Sequence, residues 1–279
     1  MILQSLLPDS IFGTIATVRG EESLEKAHGF IEYNRPFISR FPRVAVALNK
    51  FDDCSPAIMA KYKQMWMDAF PEAGCWSVDH NRGHMFGTID LDESLVRYAK
   101  SYFKPFPWLF KSTEDMLLDN KIIENEVKRA DFYYLPSFSY ETISQNGGMI
   151  GIKNMLKKHI YPIVPQTNFF VLNLKKVQSL YGPDVNEKAK KYHYAVRAQP
   201  NLKPWEFKCD DGIKFDMETL LYESTKSLSK FSLLSDESVG KLCNFVNGNL
   251  VGDPSHKNIF FNELGLCHYH FHEDNVIAL

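Results

Sequence analysis

Two stretches of this 279-residue chain hold side chains that can do chemistry together. In Thr113-Glu114-Asp115, two adjacent carboxylates follow the apolar run Trp108-Leu109-Phe110. Neighbouring carboxylates at a strand end can hold a hard divalent cation, and that cation can neutralise a diphosphate. A solvated acidic turn fits the same residues. Lys111 beside them can contact phosphate or simply pair with the acids. In the second stretch, His268, His270 and His272 alternate with Tyr269 and Phe271. On a strand the three imidazoles share one face. With Cys267 beside them they are a source of metal ligands. An incidental polar face near the chain end has the same pattern.

Other polar residues have two readings each. Asp52-Asp53 can contact a base or ribose hydroxyl, or cap the helix that starts at Pro56. Asn81-Arg82-Gly83 offers a guanidinium and a close backbone approach to a phosphate or base, or is a plain turn. Asp90 and Asp92 open a helix, where carboxylates are favoured in any case. Asp216 and Glu218 are candidate catalytic bases; N-cap and first-turn roles also account for them, and Asp210 and Asp211 are runners-up. Trp205, Tyr140 and Phe138 can stack on a flat ligand or pack a core.

The elements that must position these residues alternate. Apolar, β-branched runs predict strands at Ile11–Val18, Arg43–Leu48, Cys75–Val78, Pro107–Phe110 and Asp131–Leu135. Helical spacing predicts helices over Glu21–Ser39, Pro56–Phe70, Ile89–Ser101 and Ile122–Arg129. Strands buried on both faces with helical crossovers imply an α/β fold with a mostly parallel sheet. Ligands bind such sheets beyond the carboxyl ends of the strands. There stand Thr17 and Arg19, Asn49 to Asp53, Asn81 to Gly83, and Lys111 to Asp115. The second half is less regular. It predicts a strand over Pro165–Asn173, short helices over Lys175–Leu180 and Val239–Val246, a helix over Asp216–Ser227 and a strand over Cys267–His272.

Composition narrows the classes. Hydrophobic residues make up 44% and charged residues 24%, which excludes disordered, collagenous and coiled-coil chains. A net charge of −2 leaves no global basic field for nucleic acid. Five widely spaced cysteines without a C-x-x-C are not a disulfide framework. No segment predicts a signal peptide or a membrane span, so the expected residence is soluble and cytoplasmic. The absence of G-x-G-x-x-G, G-x-x-x-x-G-K-[ST] and G-x-S-x-G argues against dinucleotide dehydrogenases, P-loop hydrolases and α/β-hydrolases.

Seven segments together carry a resemblance. They are Ala16-Thr-Val-Arg-Gly-Glu-Glu-Ser-Leu-Glu25, Val46-Ala-Leu-Asn49, Asn81-Arg-Gly-His-Met-Phe-Gly-Thr88, Trp108-Leu-Phe-Lys-Ser-Thr-Glu-Asp115, Ala130-Asp-Phe-Tyr-Tyr134, Pro165-Gln-Thr-Asn-Phe-Phe170 and Ser255-His-Lys-Asn258. In their order the chain resembles GT-A-type nucleotide-sugar glycosyltransferases. It is most similar to small glycosyltransferase-like proteins of large DNA viruses, phages and aquatic bacteria. The resemblance implies a Rossmann-like donor-binding part over residues 1–140 and an acceptor-binding part over 141–279, in one compact domain. It implies transfer of a hexosyl or pentosyl unit from a nucleotide diphosphate sugar, a UDP-sugar, to a glycan hydroxyl. Where the family has D-x-D, this chain has Thr113-Glu114-Asp115. Asp115 then binds Mn²⁺ or Mg²⁺, with Glu114 and Thr113 beside it and His270, or a neighbouring histidine, as a further ligand. Thr17, Arg19 and Asp53 hold the nucleoside, Arg82 and Asp90 border the donor, and Lys111 meets the diphosphate. Asp216 or Glu218 serves as base if the mechanism inverts. The other classes that fit the residues are a histidine-cluster metal hydrolase or oxygenase and a non-catalytic carbohydrate-binding module.

Overall fold

The computed structural model describes residues 3–51, 54–78, 83–138, 163–182, 185, 217–234 and 266–268. A 3-10 helix, Leu3–Asp9, leads into β1 (Ser10–Val18). Then follow α1 (Glu21–Ile38), β2 (Val44–Lys50), α2 (Pro56–Ala69), β3 (Gly74–Ser77), α3 (Gly83–Lys100) and β4 (Trp108–Thr113). Next come β5 (Met116–Leu118), α4 (Lys121–Glu124), β6 (Phe132–Phe138), β7 (Ile163–Asn173), α5 (Met217–Ser224), β8 (Lys230–Ser232) and β9 (Leu266–His268).

Seven strands form one sheet in the order β3-β2-β1-β4-β7-β6-β8. Only β7 runs against the others, pairing antiparallel with both β4 and β6. The α/β class expected from the apolar runs is the one observed. Side chains alternate across each strand. Phe12, Val46 and Phe110 point into a layer with α1 and α2, while Ile11, Ala45 and Leu109 point into a layer with α3 and α5.

The helices form where local chemistry favours them. Glu21 and Glu22 lie in the first turn of α1, and its buried residues Ala27, Phe30, Ile31, Asn34 and Phe37 repeat at helical spacing. Helix α2 starts with Pro56 at its first turn and is capped by Ser55, whose Oγ accepts from the Ile58 N–H at 3.2 Å. Asp52 and Asp53, the cap candidates of the sequence, lie outside the described residues.

Strand β7 lies between β4 and β6, so the sheet takes strands from both sides of residue 140. Several expected element bounds change. Helix α3 begins at Gly83, which puts Asp90 and Asp92 inside it, away from its start. Helix α4 is a single turn: after it the chain extends from Asn125, and Val127 and Ala130 are spent on the core below β6. Residues 175–180 make turns instead of a helix. Asn173 decides this, because its Oδ1 accepts from the Lys175 N–H at 3.1 Å and its carbonyl from the Lys176 N–H. The chain there is then drawn to α3 by the Ser179 hydroxyl, which donates to Glu93 Oε1 at 2.6 Å. The segment Val239–Val246 lies outside the described residues. Among the described residues no helix is long and apolar enough to cross a membrane.

One polar side chain in the apolar layer secures the turn beyond β4. Asn34 on α1 is fully buried. Its Nδ2 donates to the Met116 carbonyl at 3.0 Å and its Oδ1 accepts from the Leu118 N–H at 2.6 Å. The amide thus acts as a strand partner for one edge of β5, while β9 covers the other. Asn34→Ala leaves both backbone groups without that partner and should cost about 2 kcal/mol or more in urea denaturation. The Leu118 amide should exchange faster with solvent. Unchanged stability and exchange would mean that β5 is held by other contacts.

Candidate functional site

The end of β4 decides what the acidic stretch can do. Strand β4 continues through Thr113, three residues further than expected, and the chain then turns at Glu114 and Asp115 into β5. Successive side chains leave that turn in different directions. The Glu114 carboxyl is buried and accepts from the Tyr62 hydroxyl on α2. Burial, opposed by the Lys26 charge and helped by that of Asp115, pushes its pKa up to about 8. With no cation bound, Glu114 therefore favours its neutral form at neutral pH and holds its carboxyl against Tyr62. Asp115 is half-buried and accepts from the Thr113 hydroxyl. It is the one acid of the pair that can offer a charged oxygen at the strand end.

Lys111 changes role. It lies within β4 and is 0% exposed. Its ammonium donates to the Thr167 carbonyl and stands 3.3 Å from Asp92 Oδ1. It does pair with an acid, but with one on α3 instead of Glu114 or Asp115, and a buried ammonium enclosed in this way does not reach a diphosphate. Asp92 in turn accepts from the Tyr181 hydroxyl at 2.5 Å. Burial raises the Asp92 pKa, and the Lys111 charge opposes the rise.

Strand β7 brings the second half of the chain to the same edge. Ser112 of β4 lies opposite Phe169. Because β7 is antiparallel, the residues before Phe169 sit beyond Ser112, where β4 gives way to Glu114 and Asp115. Thr167 belongs to that stretch, and its hydroxyl donates to Glu218 Oε1 at 3.1 Å. Glu218, half-buried in the first turn of α5, therefore stands at the edge where β4 ends. Its sequence neighbour Asp216 lies outside the described residues.

Thr17 and Arg19 are exposed where β1 ends, as expected. The Arg19 guanidinium lies over the Phe51 ring, 4.1 Å from its centroid, which orients its charge without neutralising it. Asp90 is half-buried on α3. Asp53, Arg82, His270 and His272 lie outside the described residues, as do Asp210, Asp211, Trp205 and Tyr140. The pairing of Met116 with His268 sets the start of the histidine run against the residue after Asp115. Among the described residues no three His, Cys, Asp or Glu side chains gather as a metal site.

No protein-family model matches the sequence, and no curated protein matches it. Solved structures of related shape include the mannosyltransferase Ktr4p from S. cerevisiae, at 9% identity and a TM-score of 0.38. Another is core-mannan synthase A from Aspergillus fumigatus in a Mn/GDP form, at 11% identity and a TM-score of 0.34. Each match covers 68% of this chain. The chain spans less than two thirds of either neighbour, 62% and 64% of their lengths. Both neighbours are fungal, so they carry nothing toward the viral and phage resemblance, and the nucleotide named is GDP, not UDP. At this distance the likeness transfers no residue role.

Asn49, which the sequence already placed at the end of a strand, is buried at the end of β2, and its Oδ1 has no hydrogen-bond partner among the described residues. Gly87 faces it so closely that a Cβ there would collide with the Asn49 amide. The visible signal was a polar residue closing a buried strand. Tyr62, Thr167 and Tyr181 gave no such signal, since each matters only through a partner at least 50 residues away.

Glu114 makes a pH prediction with a definite sign. Unfolded, its carboxyl ionises near 4.5; folded, it keeps its proton to about 8. Between those values the folded state binds more protons, so this group's contribution to stability falls as pH rises through the window and then levels off. Glu114→Gln removes the charge and keeps an acceptor for Tyr62. It should leave stability near wild type at about pH 4.5 and raise it by roughly 2–5 kcal/mol at about pH 9, since each tenfold difference in proton affinity between the two states is worth about 1.4 kcal/mol. Denaturation at both pH values checks this; an equal effect at the two would assign Glu114 an ordinary pKa.

Proposed function

We propose that the chain is a glycosyltransferase that moves a sugar from a nucleotide diphosphate sugar to a hydroxyl of a glycan acceptor. One observation carries the reading: Asp115 and Glu218, about 100 positions apart, stand at the same carboxyl edge of a mostly parallel sheet. The GT-A-like order of the sequence segments supports the same activity. UDP is the nucleotide that resemblance favours.

Within this reading Thr17 and Arg19 hold the nucleoside at the end of β1. Asp115 is a carboxylate ligand for Mn²⁺ or Mg²⁺, steadied by the Thr113 hydroxyl. Glu114 keeps its place against Tyr62, and a histidine of the 268–272 run completes the donor set. A bound cation supplies positive charge where the diphosphate leaves, the main electrostatic contribution to such a transfer. Glu218 faces the acceptor. In an inverting transfer its carboxylate takes the proton of the acceptor hydroxyl as that oxygen bonds to the sugar's anomeric carbon, and the bond to the diphosphate breaks. A retaining transfer needs no such base.

Calorimetry with UDP and GDP in the presence of Mn²⁺ or Mg²⁺ tests the donor site, and slow hydrolysis of UDP- and GDP-sugars tests turnover. Asp115→Ala should reduce turnover by about 100-fold or more, and Glu218→Gln by about 100-fold or more if the mechanism inverts. Failure of both nucleotides to bind with either metal sinks the transferase reading. Binding without turnover of any donor favours a carbohydrate-binding module.

A further inference from the structure

We propose that Lys111, Asp92 and Tyr181 act as a buried positioning device for Glu218, working through Thr167. The inference rests on Glu218 being the acceptor-side carboxylate of the proposed transferase.

Four elements meet at Lys111. It sits on β4 opposite Gly13 of β1 and Phe170 of β7. Gly13 lets α3 lie close to the sheet: a Cβ at that position would stand 2.8 Å from Leu109 Cδ1 and 3.2 Å from Leu95 Cδ1, the latter on α3. The close approach brings Asp92 of α3 to within 3.3 Å of the ammonium, with neither side chain exposed. Tyr181, also buried, donates to the other Asp92 oxygen at 2.5 Å. The ammonium itself lies 5.6 Å from the Phe170 ring centroid.

A charge pair enclosed this way has few places to be. Moving either member leaves an unpaired charge in a low-dielectric interior, which is far costlier than moving an apolar side chain. Apolar residues of similar volume would hold the two layers together as well. What the charged pair adds is direction. The ammonium pins the Thr167 carbonyl, and the hydroxyl of that same residue donates to Glu218 Oε1 at 3.1 Å. Glu218 is therefore oriented from beneath, by a buried cation that never meets substrate. Lys111 and Asp92 are positioning residues and Thr167 is the link.

Two variants test this. Asp92→Asn/Lys111→Met removes both charges and keeps an acceptor for Tyr181. Thr167→Val removes only the hydroxyl link. Both should unfold near the wild-type temperature. Both should lower kcat for donor turnover by about tenfold or more with KM within about twofold, the signature of lost orientation and not of lost binding. The ¹³C-carboxyl resonance of Glu218, read with no substrate present, should move in both. Wild-type kcat together with a wild-type Glu218 resonance in the two variants would overturn the proposal. If Glu218→Gln turns over like wild type, the catalytic reading of Glu218 falls, and the resonance alone decides the positioning claim. The same holds if no donor is turned over.

Discussion

A lysine ammonium and an aspartate carboxylate lie in the middle of this protein with no access to water. Removing two charges from water is costly, and their attraction offsets that cost only when the geometry is good and the remaining donors and acceptors are satisfied. The neighbours of Lys111 and Asp92 go most of the way to that condition, with Asp92 Oδ1 meeting the ammonium as an ion pair at 3.3 Å and no hydrogen bond of its own among the described residues. Thr167 supplies a carbonyl, Tyr181 a hydroxyl, and Gly13 the room for α3 to approach. Each comes from a different element, so the pair constrains β1, β4, β7, α3 and the Tyr181 turn together. The antiparallel β7, inserted beside β4, is what places Thr167 and hence Glu218 at the carboxyl edge.

The opposite layer solves a related problem with a neutral group. Glu114 enters the apolar space under α1 and α2, where the Lys26 charge offsets burial only in part, and burial keeps its proton on to about pH 8. The Tyr62 hydroxyl then has an acceptor and the core carries no free charge. Asn34, in the same layer, completes the free edge of β5 with its amide. These two polar residues shape the turn that leaves Asp115 at the strand end. Two adjacent acids thus separate, the Glu114 carboxyl buried against Tyr62 and the Asp115 carboxyl half-buried beside Thr113.

Much of the frame was legible in the chain. Runs such as Ile11–Val18 and Val44–Leu48 are apolar on both faces, which suits a buried parallel strand and little else. Helices α1 and α2 are readable from their first turns and apolar spacing. The strand-end positions of Thr17, Arg19 and Asp115 were legible because they close or follow such runs. Lys111 was misread for the same reason: beside Asp115 it looks like part of a polar strand end, while in the fold it is still inside β4. The strand end at Asn173 was read from the sequence, but not the turn its amide makes in place of a following helix, and Asn125, where α4 ends, was invisible as an element end.

The sequence by itself determined the class of fold, the course of its buried strands and the polar residues near their ends. These depend on local pattern, since an apolar run or a capping residue acts on its own neighbourhood. Tertiary structure alone decided that β7 lies between β4 and β6, that Lys111 pairs with Asp92, that Glu114 keeps its proton, and that Glu218 joins the edge where Asp115 stands. Each of those depends on which distant groups enclose a charge, and the environment that sets a charge's cost is built only when the layers close around it.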